Sequence, residues 1–512
     1  LVLAVDRGCR GADGDIRHGT AAYGACQAGR KPITKPDMDN GVETGSLAGR
    51  PLFFCGIGGS GMLPLAQIAR GLGHPVAGSD RSRDQGRTPD KFAWLEANGF
   101  ALHPQDGSGV TSPDQVLIAS AAIEDTVPEV ARAKELGCAR LSRAELLSRL
   151  FNAADFSVAI GGTSGKSTVT GMIAWILTEA GHDPTVMNGA VMKNFAGPQN
   201  PFASARVGGG KVFVSEVDES DGSIALYRPT VGVLLNVSLD HKSIEELRVL
   251  FGDYVATAGT AVINMDSPEA AYLVQRTEGA VTFGIRAPEA DITVDPDSVE
   301  QVERGIRAAV IDNRAREAYP LILPMPGLHN LSNALAAIAA ASAAGIGVGH
   351  AAYALRSFAG LARRFDVIGT SASGITVIDD FGHNPEKCAA TLRTLKATPG
   401  RVIAFFQPHG YGPLRQMGTE LAQTFARELG PDDLTILCDP VYFGGTVDRS
   451  EGSGRIVDLI NAAGGKAEHV ASREACGERI AALARPGDRI AVMGARDDTL
   501  TEFARSILAR LP

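Results

Sequence analysis

The stretch Ala159-Ile160-Gly161-Gly162-Thr163-Ser164-Gly165-Lys166-Ser167-Thr168 follows a short β-branched run and precedes a predicted helix that extends to Ala180. A strand, a glycine turn and a helix N-terminus place several backbone N–H groups around one anion, and the helix dipole favours negative charge there. Lys166 adds a positive charge for the outer phosphates of a nucleotide, and the Ser167 hydroxyl is placed to hold Mg²⁺. We therefore predict a nucleoside triphosphate site formed by Gly161, Gly162, Thr163, Ser164, Gly165, Lys166, Ser167 and Thr168.

This loop is shorter than the common phosphate loop. The common form has a glycine six residues before the lysine, whereas this chain has Ile160 there and its first glycine one residue later. The alternative is a glycine-rich turn between a strand and a helix, with a chance Lys-Ser pair. Because the residue types agree with their strand and helix context, nucleotide binding is favoured.

Length and charge limit the class of protein. A chain of 512 residues is too long for one hydrophobic core, and at about 150 residues per domain it predicts roughly three domains. Hydrophobic residues make up 44% and charged residues 21%, which is ordinary for a globular protein. The net charge of −9 argues against nucleic-acid binding, so we expect small molecules or protein as partners.

The cysteines and the apolar runs indicate where the protein works. The seven cysteines are scattered, and no pair has the spacing of metal ligands. They are typical of reduced thiols in a cytoplasmic protein. No apolar run reaches the ~20 residues needed to span a membrane, so we expect no membrane partner.

The two ends of the chain differ in pattern. Residues 1–46 mix Gly, Ala, Arg and Asp without sustained periodicity, and we predict a disordered leader or a misplaced start there. From Pro51 the order strand, glycine turn, helix repeats almost to the end, which predicts parallel α/β domains.

The first α/β unit carries a second glycine motif, Gly56-Ile57-Gly58-Gly59-Ser60-Gly61, directly after a predicted strand. Asp80 lies nineteen residues beyond its last glycine. This G-x-G-x-x-G pattern with a following acid is typical of dinucleotide binding, and alone it favours NAD and an oxidoreductase. The motif cradles any diphosphate, however, so a UDP-linked substrate fits equally well. The second phosphate loop further along the chain favours the UDP-linked substrate.

An acidic cluster follows the predicted buried strand Lys211–Ser215. Acids at the carboxyl end of such a strand lie where α/β sheets bind ligands. Glu219 is a hard oxygen donor suited to Mg²⁺, as is Ser167. A solvated acidic loop is the alternative, but the preceding phosphate loop favours metal binding.

Further motifs follow in a fixed order, and together they carry a resemblance to a known family. They are Cys55–Met62, Ile118–Ile123 with Pro128-Glu129-Val130, the phosphate loop, Glu216–Asp221, Asn236–His241, His329–Ala334, Arg363-Arg364-Phe365, Asp379–Pro385 and Phe406–His409. From about residue 51 to the C-terminus the chain resembles the Mur ligase family. Within that family it is most similar to the members that join UDP-N-acetylmuramate to L-alanine.

The resemblance implies a fold and a reaction. It implies an α/β protein of three domains: a Rossmann-like UDP-substrate domain (47–152), a central ATPase domain with the phosphate loop (153–347) and a Rossmann-like C-terminal domain (348–512). It implies ATP and Mg²⁺ as cofactors, a UDP-sugar acid and an amino acid or peptide as partners, and a monomer or homodimer. The substrate carboxylate would take the γ-phosphate, and an amine would then displace phosphate to give an amide for peptidoglycan. A divergent paralogue with another acid and amine is the alternative.

The resemblance also implies the residues of each site. The UDP-substrate would contact Gly56, Gly58, Gly59, Gly61, Asp80 and Ser120. Magnesium ions would lie beside Ser167, Glu219 and His241.

The remaining implied residues come from the second half of the chain. Asn330 and Asn333 would face the adenine, although an N-terminal cap explains Asn330 nearly as well. Arg363 and Arg364 resemble the clamp that closes on the γ-phosphate, and Asp380 resembles the aspartate at the ribose. The amine would lie near His409 and Arg415. The catalytic set is Lys166, Glu219, His241, Arg364 and His383.

The chain departs from these relatives in four places. It has Ser164 where they usually have histidine, and Lys242-Ser243-Ile244-Glu245 follows His241. In the third domain, His409-Gly410-Tyr411-Gly412-Pro413-Leu414-Arg415 stands where they have His-Arg-Tyr-Thr-Arg-Thr-Arg, so only Arg415 of three arginines remains. Near the end, Met493–Asp498 replaces a Gly-Ala-Gly-Asp turn. The ATP chemistry is expected to be intact and the amine contacts altered.

Replacing Lys166 by alanine tests the nucleotide assignment. The change removes a charge facing the outer phosphates, and a loop lysine has little packing role. We expect substrate-dependent ADP release to fall by on the order of 10²-fold or more, the scale of a lost transition-state charge contact. Normal turnover by this variant would exclude an ATP site here.

Overall fold

The computed structural model describes residue 47 and residues 49–120, 123–238, 243–302, 304–441, 451–495, 497 and 499–512. The predicted leader at 1–46 lies outside the described residues, as does His241. Three sheets with flanking helices follow one another along the described chain, and the predicted three-domain α/β fold is confirmed. Within the part that is described, no helix is long and apolar enough to cross a membrane.

The first domain is a parallel sheet of order β3-β2-β1-β4-β5. Its strands are β1 (Leu52–Cys55), β2 (Val76–Ser79), β3 (Ala101–His103), β4 (Val116–Ala119) and β5 (Ala139–Ser142). Its helices are α1 (Met62–Gly71), α2 (Arg81–Asp84), α3 (Pro89–Ala97), α4 (Pro128–Leu136) and α5 (Arg143–Ala153). Every residue of β1 and β4 is buried, because helices cover both faces of a parallel sheet.

The middle domain has a mixed sheet of order β14-β15-β13-β12-β11-β10-β6-β9-β7-β8, with β16 paired to β15. Its strands are β6 (Phe156–Gly161), β7 (Thr185–Met187), β8 (Ala205–Arg206), β9 (Val212–Glu216), β10 (Val231–Leu234), β11 (Thr260–Asn264), β12 (Val281–Phe283), β13 (Ile292–Val294), β14 (Glu300–Val302), β15 (Gly305–Asp312) and β16 (Glu317–Leu323). Its helices are α6 (Lys166–Glu179), α7 (Ile244–Ala256), α8 (Pro268–Val274), α9 (Leu328–Ala343) and α10 (Val348–Ala354).

The alanine-rich helix α9 lies in the core of the middle domain. Twelve of its residues are buried, and ten of these share one hydrophobic cluster with α6. On the other side of the sheet, the buried hydroxyl of Tyr254 donates to the carbonyl oxygen of Ala159 at 2.7 Å. This bond fixes α7 beneath β6, the strand that leads into the phosphate loop.

The C-terminal domain is a sheet of order β17-β18-β22-β19-β20-β21, parallel except for β17. Its strands are β17 (Asp366–Thr370), β18 (Thr376–Asp380), β19 (Val402–Gln407), β20 (Leu434–Leu437), β21 (Ala467–His469) and β22 (Arg489–Gly494). Its helices are α11 (Pro385–Lys396), α12 (Tyr411–Glu428), α13 (Ser453–Ala462), α14 (Arg473–Leu483) and α15 (Leu500–Leu508).

The predicted border between the second and third domains lies next to helix α10. The sequence places it between residues 347 and 348, at the start of α10. In the structure, buried apolar side chains of α10 and of the segment up to Leu361 belong to the hydrophobic core of the middle domain. The apolar face of α10 and the segment up to Leu361 therefore pack with the middle domain.

Candidate active site

The phosphate loop is held by the loop that follows the neighbouring strand β10. The side chain of Asn236 accepts a hydrogen bond from the Ser164 N–H at 2.9 Å and donates one to the Ser164 carbonyl oxygen at 3.0 Å. Gly165 has a φ of +90°, and a Cβ there would lie 2.6 Å from the Oδ1 of Asn333. Glycine is therefore required at 165, both for its backbone conformation and for the approach of α9.

Lys166 and Ser167 each contact a different carboxylate. The Lys166 ammonium donates to Glu219 Oε2 at 2.6 Å and to the Gly162 carbonyl oxygen at 2.7 Å. The Ser167 hydroxyl donates to Glu216 Oε2 at 2.7 Å. Glu219, predicted as the magnesium ligand, is thus the partner of the lysine. Glu216, which the sequence assignment left out, is the acid beside the serine.

The pair of Ser167 and Glu216 fits a magnesium ion. A hydroxyl and a carboxylate in contact supply the hard oxygen donors that Mg²⁺ prefers. Glu216 is the last residue of β9, so its position at the carboxyl end of a central strand was the signal that could have identified it. Among the described residues no group of three or more His, Cys, Asp or Glu side chains forms a metal cluster, and His241 lies outside them.

A cavity of about 380 Å³ opens in front of the phosphate loop. The N-terminal ends of α6, α9 and α11 meet around it, and their dipoles all favour an anion there. Its walls bring the second and third domains together. The lining residues are Thr163, Ser164, Gly165, Lys166, Ser167, Thr168, Asn236, His329, Asn330, Ser332, Asn333, Arg364, Phe365, Asp380, Phe381, Gly382, Glu386, Lys387, Ala390 and Thr391.

The two adjacent arginines have different positions. Arg364 lines the cavity, where its guanidinium lies 4.4 Å from the centre of the Phe381 ring. Burial lowers the pKa of Arg364, although nearby Asp380 opposes that shift. Arg363 is absent from the cavity wall and has only 8% of its surface exposed. Its side chain instead pairs with the fully buried Asp379, so only Arg364 of the two predicted clamp residues lines the cavity, and the clamp on the nucleotide stays a prediction.

Asp380 and Asn330 line the cavity but already have partners within the protein. The Asp380 carboxylate accepts hydrogen bonds from Phe365 N, Gly382 N and Thr391 Oγ1, each at 2.8 Å. The Asn330 side chain donates to the carbonyl oxygen of Pro326, two residues before α9 begins, at 2.7 Å. Both residues therefore shape the cavity wall through their own bonds, and their contacts with ribose and adenine stay predictions.

His383, His409 and Arg415 lie outside the cavity wall. The two imidazole rings are in edge-to-face contact, with centres 5.3 Å apart. Burial, together with nearby Lys387 and His409, lowers the pKa of His383 to about 3, so this ring is neutral at physiological pH. Because His383 Nδ1 donates to the Phe381 carbonyl oxygen at 2.9 Å, Nε2 keeps its lone pair. Arg415 is exposed near the start of α12.

Two departures from the relatives have structural explanations. Ser243, in the altered stretch after His241, caps α7 through a reciprocal pair of bonds with Glu246. Gly410 has a φ of +143°, which disfavours any residue with a side chain, and Leu414 is buried in the C-terminal core. The start of α12 is therefore built differently from a loop that presents arginines at 410 and 413.

The first glycine loop lies at the carboxyl end of β1, and Gly61 precedes α1. The Asp80 carboxylate accepts from Gly58 N and from Ser82 N, both at 2.8 Å, so it holds this loop and caps α2. Ser120 is exposed just after β4. The geometry brings these residues to one edge of the first sheet, and their contact with a UDP-substrate stays a prediction.

Comparisons with known proteins cover all three domains. The chain matches the Mur ligase family catalytic domain over residues 52–155, the Mur ligase middle domain over 160–341 and the Mur ligase glutamate ligase domain over 363–496. This chain belongs to the Mur ligase family. The resemblance seen in the motifs is confirmed, and nothing in the comparisons supports an oxidoreductase.

Several relatives of this Mur ligase carry one name. This chain is 36% identical over 476 residues to the UDP-N-acetylmuramate–L-alanine ligase of Agrobacterium fabrum. The alignment covers 90% of this chain and 96% of that ligase. The chain is 34% identical to the enzyme of the same name from Synechococcus elongatus, over 88% of this chain and 94% of that one.

Two solved structures are also similar. The UDP-N-acetylmuramate-alanine ligase of Thermotoga maritima matches with a TM-score of 0.72 at 25% identity, covering 90% of this chain and 99% of that one. A murein peptide ligase from Psychrobacter arcticus matches with a TM-score of 0.64 at 25% identity, covering 90% and 98%.

The two acids beside the phosphate loop can be separated by replacing each with glutamine. Glu216→Gln keeps the shape but removes the charge beside Ser167, so we expect at least about a 10-fold weaker apparent affinity for Mg²⁺ in ATP turnover. Glu219→Gln removes the partner of Lys166 and should leave the Mg²⁺ dependence nearly unchanged. Titrating Mg²⁺ at fixed ATP measures both, and the reverse ranking would return the metal to Glu219.

Proposed function

We propose that this protein is an ATP-dependent ligase that joins the carboxylate of UDP-N-acetylmuramate to the amino group of L-alanine, in the synthesis of peptidoglycan precursors. The observation that carries the proposal is 36% identity to a ligase of that name over nine tenths of this chain. The cavity supports it, because it joins a phosphate loop to an arginine of the next domain.

The nucleotide part of the reaction would take place in this cavity. The backbone N–H groups at the start of α6 would hold the phosphates of ATP, and Lys166 would leave Glu219 to neutralise their charge. Arg364 would contribute a second positive charge from the C-terminal domain as the transferring γ-phosphoryl group develops charge. Ser167 and Glu216 would hold Mg²⁺, which neutralises phosphate charge when bound.

Amide formation then follows in two balanced steps. The carboxylate of the sugar acid attacks the γ-phosphorus and ADP leaves, which gives an acyl phosphate. The neutral amine attacks the acyl carbon, phosphate leaves, and the amine gives up one proton. Phe381, stacked under Arg364, and the neutral His383 next to it lie on the side of the C-terminal domain from which the amine would come.

The first domain would bind the UDP part of the acid. Its glycine loop at residues 56–61 and the N-terminus of α1 form the kind of strand, turn and helix junction that binds diphosphates. We place the protein in the cytoplasm, since its nucleotide substrates are cytoplasmic and the cysteines in the described part of the chain are free thiols.

The direct test is the product. We expect the purified protein, with ATP, Mg²⁺, UDP-N-acetylmuramate and a mixture of amino acids, to yield ADP, phosphate and a UDP-sugar heavier by one alanine residue, as measured by mass spectrometry. A matched reaction without the sugar acid controls for idle ATP hydrolysis. Failure to extend the sugar acid with any amino acid or peptide would contradict the proposal.

The altered start of α12 favours one second candidate, a ligase for another amine or a peptide. Charge-assisted hydrogen bonds are worth roughly 1.5–3 kcal/mol each, and residues 410 and 413 supply none here. One of the similar structures is a murein peptide ligase. An amine whose carboxylate lies farther from the reacting amino group would not need charged partners at residues 410 and 413. Such an amine would suit this surface better than alanine.

Kinetics with single amines decide between these candidates. We expect either a KM for L-alanine above the usual range of about 1 μM to 1 mM, or a better amine in a screen of amino acids and short peptides. Arg415→Ala should raise the KM of the amine further while ATP-dependent acyl phosphate formation continues, which positional isotope exchange in ATP measures. A low KM for L-alanine that does not depend on Arg415 would remove the second candidate.

A further inference from the structure

The segment that joins the second and third domains changes its partners at one peptide bond. Up to Ala362 it is bonded to the middle domain: Ala362 N donates to the Val191 carbonyl oxygen, and Met192 pairs with Leu361 as an isolated bridge. From Arg363 on, its backbone is bonded to the C-terminal domain, and one side chain there, Asp366, still pairs with Lys193 of the middle domain at 2.8 Å. The hinge between these domains is therefore the link between residues 362 and 363.

The backbone just beyond this hinge has an unusual conformation. Arg363 and Phe365 have φ values of 60° and 49°, in the left-handed region that residues with a Cβ disfavour. Two bonds hold it there: the Arg363 carbonyl oxygen accepts from Phe381 N, and Phe365 N donates to Asp380, both at 2.8 Å. Arg364 lies between these two anchors, so they determine the direction of its side chain.

The side chain of Arg363 supplies a third anchor. Its Nη2 donates to the Gly494 carbonyl oxygen at 2.7 Å, and its Nε lies 3.4 Å from Asp379 Oδ1. Asp379 is fully buried and also accepts from Thr501 Oγ1 at 2.6 Å. Arg363 thus connects the hinge to the carboxyl ends of β18 and β22, the two strands under Phe381 and the cavity wall.

We propose that Arg363 is a positioning residue, which fixes the hinge so that Arg364 points at the γ-phosphate. This inference rests on the proposed function, in which Arg364 contacts the transferring phosphoryl group. Arg363 itself does not reach the cavity. Its effect on the reaction passes through Arg364, because the two residues lie in the same left-handed turn. The side-chain bonds of Arg363 fix this turn to the C-terminal domain.

The experiment compares Arg363→Gln, Arg364→Gln and the double variant. We expect Arg363→Gln to lower kcat by on the order of 10-fold, since misplacing a catalytic group by about 1 Å costs up to 10²-fold. The KM for ATP should change little, because the phosphate loop is untouched. The double variant should be no slower than Arg364→Gln alone, because Arg363 acts by holding the turn and the Phe381 ring against which Arg364 packs. Arg363→Lys should restore part of kcat by keeping a charge beside Asp379.

Arg401→Gln is the matched control in the same domain. Arg401 pairs with the buried Asp488 at 2.5 Å and donates to the Leu483 carbonyl oxygen at 2.6 Å. The control variant therefore loses the same kinds of bond as Arg363→Gln does, but far from the cavity. We expect a lower melting temperature with unchanged kcat. If Arg363→Gln leaves Asp379 unpaired and fails to fold, Arg363→Gln/Asp379→Asn removes both charges and takes its place.

The outcomes separate this inference from the function on which it rests. If losses in the double variant multiply, Arg363 acts independently of Arg364 and the inference is wrong. If Arg363→Gln behaves like Arg401→Gln while Arg364→Gln is slow, the role of Arg363 is only structural and the inference alone fails. If Arg364→Gln turns over normally, the proposed phosphate contact fails, and the inference fails with it.

Discussion

The parallel pairing of β6 with β9 on one side and β10 on the other is the constraint on which the candidate site depends. All three strands end at the same edge of the middle sheet. The phosphate loop, which follows β6, therefore lies between the segment after β9, at Glu216, and the segment after β10, at Asn236. One neighbour supplies carboxylates to Lys166 and Ser167, and the other supplies the amide that holds Ser164. The glycine turn has few bonds of its own, and its geometry comes from these two neighbours.

The C-terminal domain faces the phosphate-loop edge of the middle sheet with the carboxyl ends of three of its own parallel strands. β18, β22 and β19 are adjacent, and their carboxyl ends carry Asp380, Gly494 and the loop with His409. Asp380 connects three parts of the wall, because its carboxylate accepts from the hinge, from the turn after β18 and from α11. The surface that faces the phosphate loop is thus one bonded unit, and Arg364 is held on it.

Much of this could be predicted from the sequence, because glycine loops and the ends of apolar strands are local patterns. The phosphate loop, the first glycine loop and the order of three α/β domains follow from such patterns. The choice between Glu216 and Glu219 could not, since it depends on which carboxylate faces Ser167 after β9 pairs with β6. Arg363 and Arg364 are identical in type and adjacent in the chain, and only the left-handed turn separates their directions. The place of α10 depends on a core that no local pattern records.

The contact between Lys166 and Glu219 bears on selectivity among anions. The ammonium group already has a carboxylate at 2.6 Å, so an incoming anion must exchange with a charge that is covalently fixed nearby. Inorganic phosphate or sulfate gains little from such an exchange, because it replaces one anion by another and has few further contacts. A nucleoside triphosphate is larger and would also meet the three helix N-termini and Arg364 that surround the cavity. We therefore expect the internal carboxylate to compete more strongly with simple anions, such as free phosphate, than with a full nucleotide.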